Sequence, residues 1–382
     1  MEPSDGDTPL KVLLVHVWYW PHIGGGNQHV EHIARQLVAR GHKATVWCAD
    51  IPEHSEKRFV RDGVEVIRLP PTRVLGGIDP IVSIKDLDMD FDIVHLHDTL
   101  PVLIRRSVKR ARKEGVPVVT TFHNDYIKTT LFGKILKRLR WVLQGRRTLH
   151  ASNARIALTP YYARHLQGRG VRQPIDVLPN GFEPVAEDAT RPSTLPPDSE
   201  TQPLLVFVGR LSEQKGLDVL MDAWDLLCET GEPQARLAIA GSGELDQWLN
   251  ERIAISTYPD SIAKLGRVND SEKRWLFEQA KGVLIPSRFE GLPTVLLEAM
   301  HAGAPTVMAD VNDLGRLVTE PNAGISVTPG DAKSLLDAMI ALLEANDEQI
   351  KTWSTNGQKA SKPYLWSNVV DDLLEVYMRV RT

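Results

Sequence analysis

Two glutamates, Glu290 and Glu298, stand in the stretch Pro286-Ser287-Arg288-Phe289-Glu290-Gly291-Leu292-Pro293-Thr294-Val295-Leu296-Leu297-Glu298-Ala299-Met300. Carboxylates of this kind accept hydrogen bonds from ligand hydroxyls. The apolar run 282–285 reads as a buried strand, and Pro286 ends it. Pro293 suits the first turn of a helix, where its missing N–H costs nothing. Gly303 fits the far end of that helix. Glu290 therefore lies on a loop and Glu298 within the helix. Free backbone N–H groups at Gly291 and Leu292 would stand at a helix N-terminus, which favours an anion. The combination suits a ligand that carries both sugar hydroxyls and phosphate. Taken alone, the two glutamates read more simply as solvated charges, since Glu is mostly exposed.

A second constellation precedes it, in Gly209-Arg210-Leu211-Ser212-Glu213-Gln214-Lys215-Gly216. It links the apolar run 204–208 to a helix that begins at Leu217, and Arg210 and Lys215 flank the start of that helix. A helix dipole contributes about 0.3–1 kcal/mol toward an anion. Charge-assisted hydrogen bonds contribute about 1.5–3 kcal/mol each. Facing a bound anion, the two cations would dominate and could do the work of a metal ion. In isolation they read as surface charges. His123 ends the apolar run 116–122, at the end of a parallel strand where open α/β sheets bind ligands; a lone histidine is more often structural. Gly24, Gly25 and Gly26 lie between a first strand, 11–17, and a helix, 27–40. Three glycines let a backbone approach a ligand closely, or make a plain flexible turn.

Glu-x7-Glu inside Pro-Ser-x-x-Glu-Gly-x-Pro-x-x-x-x-Glu-Ala resembles the nucleotide-sugar site of retaining glycosyltransferase family 4, and the resemblance runs from about Lys11 to the C-terminus. Gly-Arg-x-x-x-x-Lys-Gly, in register with the glutamates, looks like that family's diphosphate clamp. Gly24-Gly25-x-x-x-His29-Val30 looks like its N-terminal loop, which borders the diphosphate and the acceptor. Thr-Phe-His123 resembles the position of its active-site histidine beside the donor sugar. The resemblance implies an α/β chain of GT-B architecture, two Rossmann-like doubly wound domains facing a central cleft. It implies a retaining transfer of sugar from a UDP- or GDP-linked donor to an acceptor hydroxyl. His123, Arg210, Lys215 and Glu290 would be catalytic. Gly24, Gly25, Gly209, Gly241, Arg267, Val268, Gly291, Leu292, Pro293 and Glu298 would bind the donor. In that scheme Glu290 positions sugar hydroxyls, Glu298 binds ribose, and the loop 266–270 holds the base through backbone atoms at Arg267 and Val268. No enzymatic nucleophile stands out, which agrees with a front-face mechanism, and neither a metal nor another cofactor is expected. At 311–318 the chain departs from the family's frequent Gly-Gly-x-x-Glu pattern, and no role is carried over there.

The elements that must position these residues follow from the rest of the chain. A length of 382 residues favours two domains. Alternating strands and helices give a first domain at 1–183 and a second at 204–362. Residues 184–203, rich in Pro, Ser, Thr and acids, read as a linker. The amphipathic segment 363–382 would, as in relatives, cross back to the first domain through Trp366, Val369, Leu373 and Tyr377. Arg61-Asp62-Gly63-Val64 reads as a hairpin turn. Asp88-x-Asp90 reads as a loop rather than a metal site. His95 and His97 share a strand face, lack a clear further ligand set, and read as structural.

Hydrophobic residues make up 42% of the chain, and no run is long enough to span a membrane. The polar, acidic start is unlike a signal peptide. Cys48 and Cys228 form neither a disulfide framework nor a metal spacing. A cytoplasmic protein is expected, with peripheral attachment to a membrane as an extension. The net charge of −4 hides an asymmetry: 101–172 carries seventeen Lys and Arg against Glu114 and Asp125. Such a block suggests an anionic partner, whether lipid headgroups, a phosphate-bearing acceptor or nucleic acid; the resemblance turns the expectation away from nucleic acid. Residues 131–152 read as a long basic helix with an apolar stripe of Leu131, Ile135, Leu139, Val142 and Leu143. It is either a solvated basic face over a core stripe or a face that docks on an anionic bilayer, at about 1 kcal/mol per basic residue. The expected partners are a nucleotide-sugar donor and a glycan or lipid-linked acceptor, of which a polyprenyl-diphosphate-linked saccharide is one. Two rival readings remain at this point: an epimerase or phosphorylase on the same fold, and a non-catalytic module binding membrane or nucleic acid.

Overall fold

The computed structural model describes residues 8–21, 25–75, 79–123, 138–197, 201–229, 231 and 234–381. The chain forms two compact units, Met1–Gly181 with Trp366–Thr382, and Phe182–Leu365. The first is built on strands β1 (Lys11–Val15), β2 (Lys43–Ala49), β3 (Arg58–Arg61), β4 (Val64–Leu69), β5 (Pro71–Leu75), β6 (Asp79–Val82), β7 (Ile93–His97), β8 (Val118–Phe122), β9 (Ala154–Ala157) and β10 (Asp176–Val177). Eight of them form one sheet in the order β10-β9-β8-β7-β1-β2-β4-β3, and β5 pairs with β6. The large sheet is parallel except for the edge strand β3. Asp62 (φ 51°) and Gly63 (φ 76°) make the turn of that edge hairpin, since both central residues of such a turn need positive φ. The inner strands are buried on both faces, as expected of a parallel sheet with helices on both sides.

The helix Trp366–Arg381 belongs to this unit. Its buried face, Trp366, Val369, Val370, Leu373, Val376 and Tyr377, joins the core of Leu10, Val12, Leu14, Val30 and Ile33. The fit is close: a Cβ on Gly181 would stand 2.4 Å from the Trp366 ring. Tyr377, fully buried, places its hydroxyl 2.7 Å from His95 Nδ1.

The second unit repeats the plan with β11 (Leu204–Val208), β12 (Arg236–Ala240), β13 (Ile262–Gly266), β14 (Ala280–Ile285), β15 (Thr306–Ala309) and β16 (Gly324–Val327). They form one parallel sheet in the order β13-β12-β11-β14-β15-β16. The order reverses direction beside β11, so the turns after β11 and β14 leave the same end of the sheet at a topological switch point.

Two expectations need correction. Residues 184–203 do not serve as a free linker. Val185 and Leu195 are buried in the core of the second unit, Thr190 N donates to Ser271 O, and Arg191 binds the carbonyls of Leu195 and Pro196. Two well-placed apolar side chains anchor a segment whose composition reads as loose. Of the two readings left open for the stripe in 131–152, the core one does not fit: Leu139, Val142 and Leu143 are exposed, while Trp141 is buried. Leu131, Ile135, Lys134 and Lys137 lie outside the described residues, as do Asn124, Asp125 and Tyr126.

Candidate active site

In the second unit, the loop after β11 and the loop after β14 are lashed together. Arg288 N donates to Gln214 O, and Gln214 Nε2 donates to Phe289 O at 2.9 Å. Gly216 adopts φ +67°, and a Cβ there would lie 2.1 Å from Pro286 O, so only glycine permits this approach. The result is a buried polar knot. Lys215 Nζ donates to Glu290 Oε1 at 2.5 Å, and Ser287 Oγ donates to the same oxygen at 2.7 Å. The Glu290 side chain is only 7% exposed, so its charge depends on these partners. Asn312 Nδ2 holds the Glu290 carbonyl at 2.8 Å. Arg210, by contrast, is exposed and makes no hydrogen bond or ion pair among the described residues.

The helix after this loop, Thr294–Ala302, has Pro293 as its N-cap residue, one position before the first-turn place expected for it. No side chain caps that end. Gly303 closes the other end at φ 87°. Gly291 is half-buried, and Leu292 and Pro293 are buried. Glu298 projects from the helix to Lys273, whose Nζ lies 2.9 Å from its Oε2 and 3.1 Å from Asp270 Oδ1. Burial disfavours the Lys273 ammonium, yet the carboxylates of Glu298 and Asp270 outweigh it and raise its pKa above the ordinary lysine value. Sequence reasoning missed Lys273, which has no motif of its own, and left Ser287 and Asn312 without roles.

At the neighbouring strand ends, Gly209 N donates to Ala240 O and Gly241 N to Gly266 O. Gly241 has φ +147°, and a Cβ on it would fall 1.8 Å from Gly209 O. Arg267 is exposed and donates from Nε to Ser242 Oγ at 2.7 Å, while Val268 packs on the unit's core. Gly209, Gly241, Arg267 and Val268 thus lie on loops at the carboxyl ends of β11, β12 and β13. Where the chain departs from the expected glycine pair, Asn312 (φ 55°) and Asp313 (φ 64°) adopt the left-handed backbone instead, which Asn and Asp tolerate better than other side chains.

The first unit gathers histidines at the carboxyl end of its sheet. His123 follows β8, half-buried, with its Nε2 3.3 Å from Nδ1 of His97 at the end of β7. His29, on the helix Gly25–Ala39, packs its ring edge-to-face on His123 at 4.7 Å and on His97 at 5.3 Å between centroids. Asn180 Oδ1 lies 2.6 Å from His29 Nδ1, so His29 carries its proton there. Burial pushes the His29 imidazole down to about 4 and those of His97 and His123 well below the ordinary value. All three are neutral near pH 7. His95 fits the structural reading, with Nδ1 facing Tyr377 and Nε2 facing Thr121. His97 fits it less well: its buried Nε2 has no partner among the described residues. Asp98, next along the chain, holds φ 121°, a strained backbone of the kind that collects at functional sites. Gly25 opens its helix, and Gly24 lies outside the described residues.

Comparison with known proteins places the chain. The family profile described as Glycosyltransferase Family 4 matches residues 23–185, and that described as Glycosyl transferases group 1 matches residues 195–360. A phosphatidyl-myo-inositol mannosyltransferase of Mycobacterium tuberculosis is 29% identical over 374 residues, covering 94% of this chain and 93% of that protein. A glycogen synthase of the same organism is 26% identical over 412 residues, covering 97% and 95%. Among solved structures, Anabaena HepE in complex with UDP-glucose superposes with a TM-score of 0.71 at 19% identity, over 97% of this chain and all of that one. Sucrose-phosphate synthase from Thermosynechococcus elongatus gives 0.71 at 17%, over 97% and 98%. Neighbouring structures share the fold over nearly the whole chain, and two profiles that between them take in both units make it a glycosyltransferase of family 4.

Proposed function

We propose that the enzyme moves a sugar from a UDP- or GDP-linked donor to an acceptor hydroxyl with retention of anomeric configuration. The observation that carries this reading is the Lys215–Glu290–Ser287 knot. A buried carboxylate with one oxygen tied down keeps the other available to sugar hydroxyls, in a fixed orientation. Lys215 has three protons, so it can hold Glu290 and a diphosphate oxygen together. Arg210, exposed and unpaired, adds the second positive charge. Together they stabilise the departing diphosphate electrostatically, and no metal ion is needed for that step. Glu298, steadied by Lys273, takes the ribose hydroxyls. His123, neutral at working pH, offers hydrogen bonds to the sugar without competing for the phosphates. HepE binds UDP-glucose, which supports a nucleoside diphosphate as the common ligand. With a retaining front-face course, the leaving diphosphate oxygen accepts the proton of the incoming hydroxyl, and no protein nucleophile is required.

The acceptor reading is a lipid-carried one. It draws on the mannosyltransferase relative, whose name specifies phosphatidyl-myo-inositol, and on the exposed Leu139, Val142 and Leu143 within the basic block. Exposed apolar side chains among arginines suit a membrane interface better than a purely solvated face. No helix among the described residues is long and apolar enough to cross a membrane, so attachment would be peripheral.

The deciding experiment is calorimetric titration of chelator-treated protein with UDP- and GDP-sugars, beside Arg210→Ala and Lys215→Ala. One donor that binds the wild type and binds the variants at least ~10-fold more weakly is the expected result. Binding of no donor, or equal binding by the variants, would overturn the clamp. Product NMR then reads the anomer: an inverted product refutes the retaining course. Transfer that survives Glu290→Ala in a folded protein would refute the role given to Glu290.

A further inference from the structure

The histidines of the first unit form a second constellation that the transfer reaction does not use in full. His29, His97 and His123 each present one ring nitrogen, and the three atoms all lie within 4.8 Å of one another. The His97 Nδ1 to His123 Nε2 distance is 3.3 Å. Two ligands on one tetrahedral zinc ion at about 2.0–2.1 Å stand roughly 3.3 Å apart. A hydrogen bond between these rings is the alternative, at a distance already long for one.

We propose that His29, His97 and His123 bind a divalent transition-metal ion of the zinc class, and that the ion inhibits sugar transfer by occupying the His123 lone pair.

Three features of the site favour an ion. His29 is set for ligation: Asn180 takes the proton on Nδ1 and leaves Nε2 as the lone pair, the outer-shell arrangement that fixes a metal-binding imidazole. His97 is fully buried, and its Nδ1 faces the His123 nitrogen at that 3.3 Å spacing. His123 is half-buried, the least enclosed of the three rings. Three histidine nitrogens match zinc more closely than magnesium or calcium, which take oxygen ligands. The chemistry is coordination only: three lone pairs are donated, no bond in the protein breaks, and nothing is oxidised. The metal-binding half stands on this geometry alone, while the inhibitory half rests on the role given to His123 above.

The test uses the full chain, stripped with chelator and titrated with Zn2+ by calorimetry and with Co2+ by visible absorption. One equivalent per chain is expected, with the ligand-field bands of four-coordinate cobalt. His97→Gln and His29→Gln, checked for fold by circular dichroism, should each weaken binding by about 10–100-fold or more. Absence of stoichiometric binding to the folded wild type overturns the site. Binding that is unchanged in both variants places the ion elsewhere and overturns it too. In a transfer assay, stoichiometric Zn2+ should inhibit the wild type, and chelator should reverse it. Binding without inhibition refutes the inhibitory half. A protein that binds Zn2+ at these histidines yet transfers no sugar under any condition counts against the transferase mechanism and not against the site.

Discussion

Replacing Lys215 by Met separates what the Lys215–Glu290 pair does for the fold from what it does for the reaction. Glu290 keeps its charge in a pocket that leaves its side chain 7% exposed, and Lys215 is 21% exposed. Breaking a fully buried pair costs about 3–5 kcal/mol, because an uncompensated charge stays behind; an exposed pair is worth about 0–1 kcal/mol. The partial exposure of Lys215 puts this one between, at about 2–3 kcal/mol of unfolding free energy. The same variant loses a preorganised positive charge at the leaving diphosphate, which costs roughly 100- to 1000-fold in kcat. The double variant Lys215→Met/Glu290→Gln removes both charges. Its amide oxygen still accepts from Ser287, so stability should return to within about 1 kcal/mol of wild type, while transfer stays as low or lower. Urea midpoints and initial transfer rates measured on the three proteins decide it. Transfer by Lys215→Met within tenfold of wild type, or recovery of transfer in the double variant, would refute the reasoning.

Other consequences can be checked alongside. Glu298→Ala should weaken donor binding by about 10–100-fold, the value of one or two hydrogen bonds to a carboxylate, with kcat little changed; Lys273→Met should give a smaller loss in the same direction by calorimetry. Gly241→Ala forces a Cβ to within 1.8 Å of Gly209 O at φ +147°, so donor binding should vanish and thermal stability fall by about 1–3 kcal/mol. Burial pushes the Cys48 thiol up to about 12 and the Cys228 thiol up to about 11. Neither should react with a thiol reagent at pH 8 until the chain is unfolded. Because their folded pKa values are raised, the stability linked to these protons is present below pH 9 and lost only as pH rises toward 11–12. Changing Leu139, Val142 and Leu143 to Ser should remove about 2–4 kcal/mol of binding to anionic vesicles, read by co-sedimentation; wild-type protein that fails to bind at low salt would make the basic face a solvated one.

Strand positions were the most legible part of the sequence. Short apolar runs ending in Pro, Gly or His mark β1, β7, β8, β11 and β14, because a parallel strand covered on both faces can afford almost no polar side chain. The packing face of the last helix could be read from Trp366, Val369, Leu373 and Tyr377, whose spacing is helical. The segment 184–203 could not. Its two anchors, Val185 and Leu195, are ten residues apart with no period between them, so nothing local distinguishes them from incidental apolar residues in a loop. The apolar stripe at 139–143 left two readings open for a different reason: its spacing suits a core helix, and spacing does not say whether the protein or something else covers it. In the candidate site, Glu290, Glu298, Arg210 and Lys215 stand out by motif. The pairing of Lys215 with Glu290 bridges 75 residues and that of Lys273 with Glu298 bridges 25. Neither partner choice follows from spacing, since long-range pairing is set by which strand ends the sheet brings together.

The two sheets use the same position for opposite electrostatics. At the carboxyl end of the second sheet the side chains are ionised and matched: Lys215 with Glu290, Lys273 with Glu298 and Asp270, with Arg210 left over. Arg210 and Arg267, which make no ion pair among the described residues, beside compensated pairs are an arrangement that gains by taking up an anion. At the same end of the first sheet the titratable groups are imidazoles that burial keeps neutral, with Asp98 pushed toward its protonated form by the same cause. Neutral imidazoles next to a strained turn make a poor phosphate site. They can donate or accept a single hydrogen bond to a hydroxyl without adding charge, which is what an uncharged sugar requires. The same lone pairs are what a transition-metal ion requires. On the proposed reading, neutral histidines that handle hydroxyls would carry sensitivity to such ions as a direct chemical consequence, and the ionised end of the other sheet, built from lysine, arginine and carboxylates, would not share it.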